Sequence, residues 1–199
     1  MALKILGLSF RDTWQELWTI LIVHLLFLLG NILIIFGPPA TLALFFYGNR
    51  IAHGEMANER DFLKAMREYW MPAWRLGLIN LLAIGLLVGD YYLTGKIISD
   101  PKLASFLQGL YSALLVGWLL LQLFAFPFLF EQKQPLVLQA LRNAAIFIGK
   151  NFVFVLALAS LLLLSLAAGT LAFMLTFVFG GAFVAFASNH AVLEHLADH

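Results

Sequence analysis

No cysteine occurs in the 199 residues. That excludes disulfides, thiolate metal sites, iron–sulfur ligation, covalent c-type haem and S-palmitoylation. Charge is scarce too: Asp, Glu, Lys and Arg make up 12% of the chain, against about 25% in an average soluble domain. The signs balance, with 12 Lys and Arg against 11 Asp and Glu for a formal net charge of +1. No basic run is present that could neutralise a row of phosphates, which argues against a nucleic-acid partner. Residues 1–12 lack a long apolar core followed by a small-residue cleavage site, so no cleaved signal peptide is expected. Also missing are His-Glu-x-x-His, a Walker A loop and Gly-x-Ser-x-Gly. The expectation is of no enzyme, no catalytic residue and no cofactor.

Apolar residues are what the chain has in plenty, at 62% with a mean hydropathy of +0.92. So little polar surface cannot cover a water-soluble fold of this size. The composition therefore predicts an integral membrane protein whose first partner is the lipid bilayer.

Periodicity and breaks divide the chain into segments. Leu3, Ile5, Leu6, Phe10, Trp14 and Leu17 recur at helical spacing, so 3–17 is expected to lie along the interface. The uncharged run 18–36 is about 28 Å long as a helix, close to the roughly 30 Å hydrocarbon core. It stops at Gly37-Pro38-Pro39, where two prolines cannot continue a helix. The next segment, 40–53, is short at about 21 Å, and crosses only if Arg50 snorkels or the bilayer thins. Asp61 is expected to cap an interfacial helix over 61–71 that Pro72 ends. A span over 74–93, a polar loop over 94–102 and a span over 103–130 follow. That last span is about 42 Å long and is expected to tilt or bend near Pro127. A further interfacial helix occupies 136–149. Residues 152–188 carry no formal charge and exceed one crossing, so a hairpin near Ala167-Ala168-Gly169 would divide them into spans 151–168 and 170–188. A polar tail ends the chain.

The fold class is thus all-α, a polytopic bundle of about six spans forming one membrane domain over 1–199. Six spans leave ten of the twelve Lys and Arg on one side, with only Lys96 and Lys102 opposite. The positive-inside rule then places both termini in the cytoplasm, at the plasma membrane. Trp14, Trp18, Trp70 and Trp74 fall at the same interface, where an aromatic belt would put them. A weak repeat at an offset of 75 residues sets Phe62-Leu63-Lys64-Ala65-Met66-Arg67 over Val137-Leu138-Gln139-Ala140-Leu141-Arg142, and Arg75 over Lys150. Parallel repeats of this kind occur in transporters; chance alignment of Leu- and Ala-rich segments explains it equally well.

Residues 10–95 carry a further ordered pattern. A hydrophobic helix leads into Gly37-Pro38-Pro39-Ala40-Thr41-Leu42-Ala43, then Gly54-Glu55, then Arg60-Asp61-Phe62-Leu63. This stretch resembles the YesL-like family of bacterial integral membrane proteins, a domain of unknown function. His24 stands where that family often has Asn, and two prolines stand where it usually has one. Genes of the family often neighbour those for carbohydrate uptake and sensor kinases, so the resemblance implies an accessory role. It supplies no catalytic residues.

Ionisable and polar side chains inside spans are costly and therefore candidates for function. His24 shares a helix face with Asn31; it could ligate a haem or chlorin metal, relay a proton, or simply hydrogen-bond a neighbouring helix as a neutral imidazole. Asp90 lies near the outer end of its span, either solvated at the interface or holding a cation or solute. Asn80, Gln108 and Gln122 are expected to bond between helices. The turn of Gly37, Pro38, Pro39 and Thr41 is either a tight hairpin or a broken helix whose backbone coordinates a ligand. In the tail, His190, Glu194, His195 and His199 could hold a divalent metal if the helix aligned them, although a solvated terminal helix is favoured. Gly77, Gly85, Ser160, Ser165, Gly180 and Gly181 offer small faces for packing.

These features together predict a non-enzymatic accessory or regulatory membrane protein that contacts other membrane proteins, linked through the resemblance to carbohydrate uptake. The alternatives are a transporter of a small uncharged solute and a structural subunit of a larger energy-transducing complex.

Overall fold

The computed structural model describes residues 2–171 and 174–197. Among them every regular element is helical: α1 (Ala2–Gln15), α2 (Leu17–Ile32), a 3-10 turn (Ile34–Phe36), α3 (Gly37–Ala52), α4 (Glu59–Glu68), α5 (Trp70–Ile97), α6 (Pro101–Phe130), α7 (Val137–Lys150), α8 (Phe152–Leu171) and α9 (Met174–Ala197). The all-α class expected from composition is present. Among the described residues two helices, α5 and α6, are long and apolar enough to cross a membrane, and the total reaches four if each bent pair counts as one span. The bent pairs are α1 with α2, at 92°, and α7 with the apolar helix after it, at 100°.

Helix α3 is the centre of the bundle. Ten of its sixteen residues are buried, and it packs against α2, α4, α5, α6 and α9. Small residues let it approach so many neighbours. A Cβ on Gly30 of α2 would lie 2.7 Å from the Ala40 Cβ, and one on Gly48 would lie 3.1 Å from the Ala185 Cβ of α9. Aromatic pairs complete the contact with α6 and α5. Phe45 stacks on Phe126 at 4.5 Å between ring centroids, and Phe46 meets the rings of Tyr69 and Phe130 at 5.5 Å each. Each such pair contributes roughly 0.5–1.5 kcal/mol beyond area burial.

Several boundaries differ from the sequence expectation, and prolines account for most of them. Gly37, Pro38 and Pro39 are not the turn but the first turn of α3, where the missing N–H groups would be unpaired anyway. The break lies earlier, at Leu33 and the 3-10 turn. Pro72 likewise sits in the first turn of α5 and does not end the preceding helix. The polar stretch 94–102 is mostly helix, because α5 runs to Ile97 and Pro101 opens α6 with the Asp100 carboxylate accepting the Lys102 N–H at 2.9 Å. Asn58, not Asp61, caps α4. Its Oδ1 accepts from the Asp61 N–H at 3.1 Å while Asp61 Oδ2 accepts from the Asn58 N–H at 3.0 Å, a reciprocal capping box. Residues 167–169 are helical, since the two alanines favour helix and α8 continues to Leu171. Pro127 lies inside one continuous α6.

The turn between α2 and α3 exposes Ile32, Leu33, Ile34, Ile35 and Phe36, with Ile34 at 82%. Five consecutive exposed apolar side chains make a patch of the kind that meets a membrane or another protein. The repeated segments share a burial pattern: Phe62 and Ala65 of α4 are buried as Val137 and Ala140 of α7 are, and Arg67 and Arg142 are both exposed.

Candidate functional site

A cavity of about 340 Å³ opens where the end of α2 and the start of α3 meet α5 and α6. Asn31, Gly37, Pro38 and Thr41 line one wall; Ala73, Leu76, Gly77 and Asn80 line the other, with Ile34 and Phe126 closing it. Three of the polar positions singled out in the sequence, Asn31, Thr41 and Asn80, therefore share one space. Local bonds orient each. The Asn31 Nδ2 donates to the Phe27 carbonyl at 2.8 Å, which aims Oδ1 the other way. The Thr41 hydroxyl donates to the Gly37 carbonyl at 3.0 Å. The Asn80 Oδ1 accepts from the Trp118 indole N–H at 3.0 Å, joining α5 to α6. A Cβ on Gly77 would fall 2.9 Å from Pro38 Cγ, so glycine there permits the approach of α5 that closes the cavity. Gln122 stands one turn before Phe126 on the same face of α6. It is buried, with 7% exposure, and among the described residues neither amide atom has a hydrogen-bond partner.

The other candidates are dispersed. His24 is buried away from the cavity, its ring 5.4 Å from that of Phe27 and its Cε1 within 3.0 Å of where a Gly181 Cβ would stand. Although His24 and Asn31 share a helix, they serve different neighbours. Asp90 is exposed on α5, two turns from the loop, and makes no ion pair among the described residues. Gln108 donates to the Tyr91 carbonyl at 3.2 Å, a second bond between α5 and α6.

The tail is not a solvated helix. Within α9, Ser188, Asn189, Ala191 and Val192 are buried. The His190 Nε2 lies 2.6 Å from Asp12 Oδ2, Glu194 pairs with Lys4 at 2.7 Å, and His195 rests edge-on against Phe147. Docking on α1 and α7 thus gives each of these three side chains a neighbour of its own. No group of three His, Asp or Glu among the described residues could hold an ion. His199 lies outside the described residues.

Two polar clusters escaped the sequence reading because their members are far apart in the chain. One is Asp12 with His190. The other ties the end of α3 to the end of α6: the Asn49 Nδ2 donates to Glu131 Oε1 at 2.7 Å, and the His53 Nε2 lies 3.0 Å from the same oxygen. Beside it Arg50 bridges Glu55 at 2.9 Å and Asp61 at 2.6 Å. Only the four-residue spacing of Asn49 and His53 hinted at a shared face. At the α4–α5 junction, burial, with the Glu68 charge adding to it, pushes the Tyr69 phenol above its ordinary value.

Beyond Asn80, α5 and α6 continue as a hairpin that, among the described residues, packs on itself and little else. Ser105, Gly109, Ala113 and Gly117 form an exposed stripe of small residues at four-residue spacing on α6. A Cβ on Gly85, Gly89, Gly109 or Gly117 would meet nothing within 4 Å, whereas Gly77 and Gly181 are already filled by neighbours. No protein-family model matches the chain, and no curated protein or solved structure matches it.

Proposed function

We propose that this chain is a non-enzymatic accessory or regulatory protein of the plasma membrane, and that it acts by binding a transmembrane helix of another membrane protein along the open face of α6. The observation that carries the reading is the stripe of Ser105, Gly109, Ala113 and Gly117, exposed on a hairpin with almost no other packing. Lipid is as apolar as leucine, so helices associate in a bilayer where small residues let backbones come close. The small faces that close the bundle itself are occupied, and these are not. The resemblance to the YesL-like family adds the accessory role and a link to carbohydrate uptake.

In this reading six segments cross: α2, α3, α5, α6, α8 and α9. Helices α1 and α7 lie along the cytoplasmic face, as their near-right-angle bends into the next helix support, and α4 lies with them. Helices α2 and α3 have 16 residues each, about 24 Å. Their apolar turn packs beside residues 73–80 of α5, about 15 Å from its cytoplasmic end, so the pair crosses only where the bilayer thins strongly around that turn. Both termini are cytoplasmic, and ten of twelve Lys and Arg share that side.

The test is purification from native membrane in mild detergent. A membrane protein should co-purify in fixed stoichiometry and be lost from Gly109→Leu/Gly117→Leu, while the variant keeps the wild-type unfolding midpoint. A solitary monomer under several mild conditions, or a complex indifferent to the double substitution, would refute the reading.

A further inference from the structure

The cavity beneath the α2–α3 turn has a chemistry of its own, independent of the docking face. None of its lining residues is ionisable. The N-terminus of a helix ordinarily attracts anions through its free N–H groups and its dipole. Here that attraction is disarmed: Pro38 and Pro39 have no N–H, and the Gly37 N–H is bonded to the Ile34 carbonyl. The polar atoms that remain have fixed senses. An indole N–H only donates, so it holds the Asn80 oxygen and leaves the Nδ2 as a donor toward the cavity. A carbonyl only accepts, so Asn31 spends its nitrogen on Phe27 and keeps Oδ1 as an acceptor. Thr41 spends its proton on Gly37 and keeps its lone pairs. The walls between these atoms are apolar, from Ile34, Leu76 and Phe126.

We propose that this cavity binds an uncharged molecule carrying both a hydrogen-bond donor and an acceptor on an apolar body, and rejects its charged counterparts. The 340 Å³ volume is at the small end of the roughly 300–1,000 Å³ range of ligand sites. A soluble amide and the hydroxylated headgroup of a neutral lipid share this chemistry.

The experiment uses the full chain in nanodiscs and follows the thermal unfolding midpoint with three probes. Nicotinamide is the neutral solute, nicotinate its charged analogue and monoolein the neutral lipid. A rise with nicotinamide identifies a soluble ligand, and a rise with monoolein alone identifies a lipid headgroup; either supports the proposal when nicotinate has no effect. Asn80→Leu and, with less risk to folding, Thr41→Val should each weaken the neutral probe about tenfold, as loss of one hydrogen-bond partner does. The proposal is overturned by nicotinate acting as strongly as nicotinamide. Silence from both neutral probes, or affinities unchanged in both variants, overturns it equally.

Discussion

Replacing His190 with alanine removes the contact that fastens the end of α9 to α1. The His190 Nε2 is 2.6 Å from Asp12 Oδ2, and the two side chains are 11% and 5% exposed, so water cannot substitute for the lost partner. Breaking a fully buried pair by deleting one member costs about 3–5 kcal/mol. Asp12 keeps a second partner, because Arg11 reaches its Oδ1 at 3.1 Å, but that arginine is 58% exposed and its bond is correspondingly weak. The expected cost of His190→Ala is therefore about 2–3 kcal/mol, and the coupling in a double-mutant cycle with Asp12→Ala about 1–2 kcal/mol. For a chain of this length that amounts to a fall in unfolding midpoint of roughly 4–12 °C. Reversible unfolding in mixed micelles measures all four corners of the cycle. Strictly additive costs would show that the two side chains do not support each other and that α9 is not fastened there.

Three further outcomes are expected. Glu131→Ala strips the acceptor from both Asn49 and His53 and should destabilise the bundle by about 1–3 kcal/mol, read by the same unfolding assay, with Glu131→Gln costing less. Gly181→Leu drives a side chain into His24 and Leu44, each within 3.1 Å of the new Cβ, at a cost of about 1–3 kcal/mol, whereas Gly85→Leu, in open space, should leave the midpoint unmoved. Because the chain has no cysteine, single cysteines replacing Lys64, Lys133 and Ser99 can be labelled without background. The first two should react with an impermeant maleimide from the cytoplasmic face only, and the third from the opposite face only.

The amphipathic helices are the most legible in the sequence. The apolar spacing that places α7 over 136–149 falls within one residue of Val137–Lys150, because an amphipathic pattern records which face is covered. Prolines misled at 37–39 and 72, since a residue that stops one helix equally well starts the next, and local sequence does not say which. The tail misled for a different reason. His190 and Glu194 look like solvated polar residues until Asp12 and Lys4, 178 and 190 positions away, come to meet them. The candidate site was half legible: Asn31 and Asn80 stood out as polar groups in apolar runs and Thr41 as part of the Gly37-Pro38-Pro39 turn, but their convergence depends on Gly77 admitting Pro38, a contact that no periodicity encodes.

Photo-cross-linking in intact native membranes tests the central claim most directly, with a photoreactive residue at Ala113 on the small stripe of α6 and a control at Leu163, an exposed position of α8. An adduct to one membrane protein is expected from position 113, suppressed by Gly109→Leu, and only lipid adducts from position 163. Lipid adducts alone from both positions would contradict that claim.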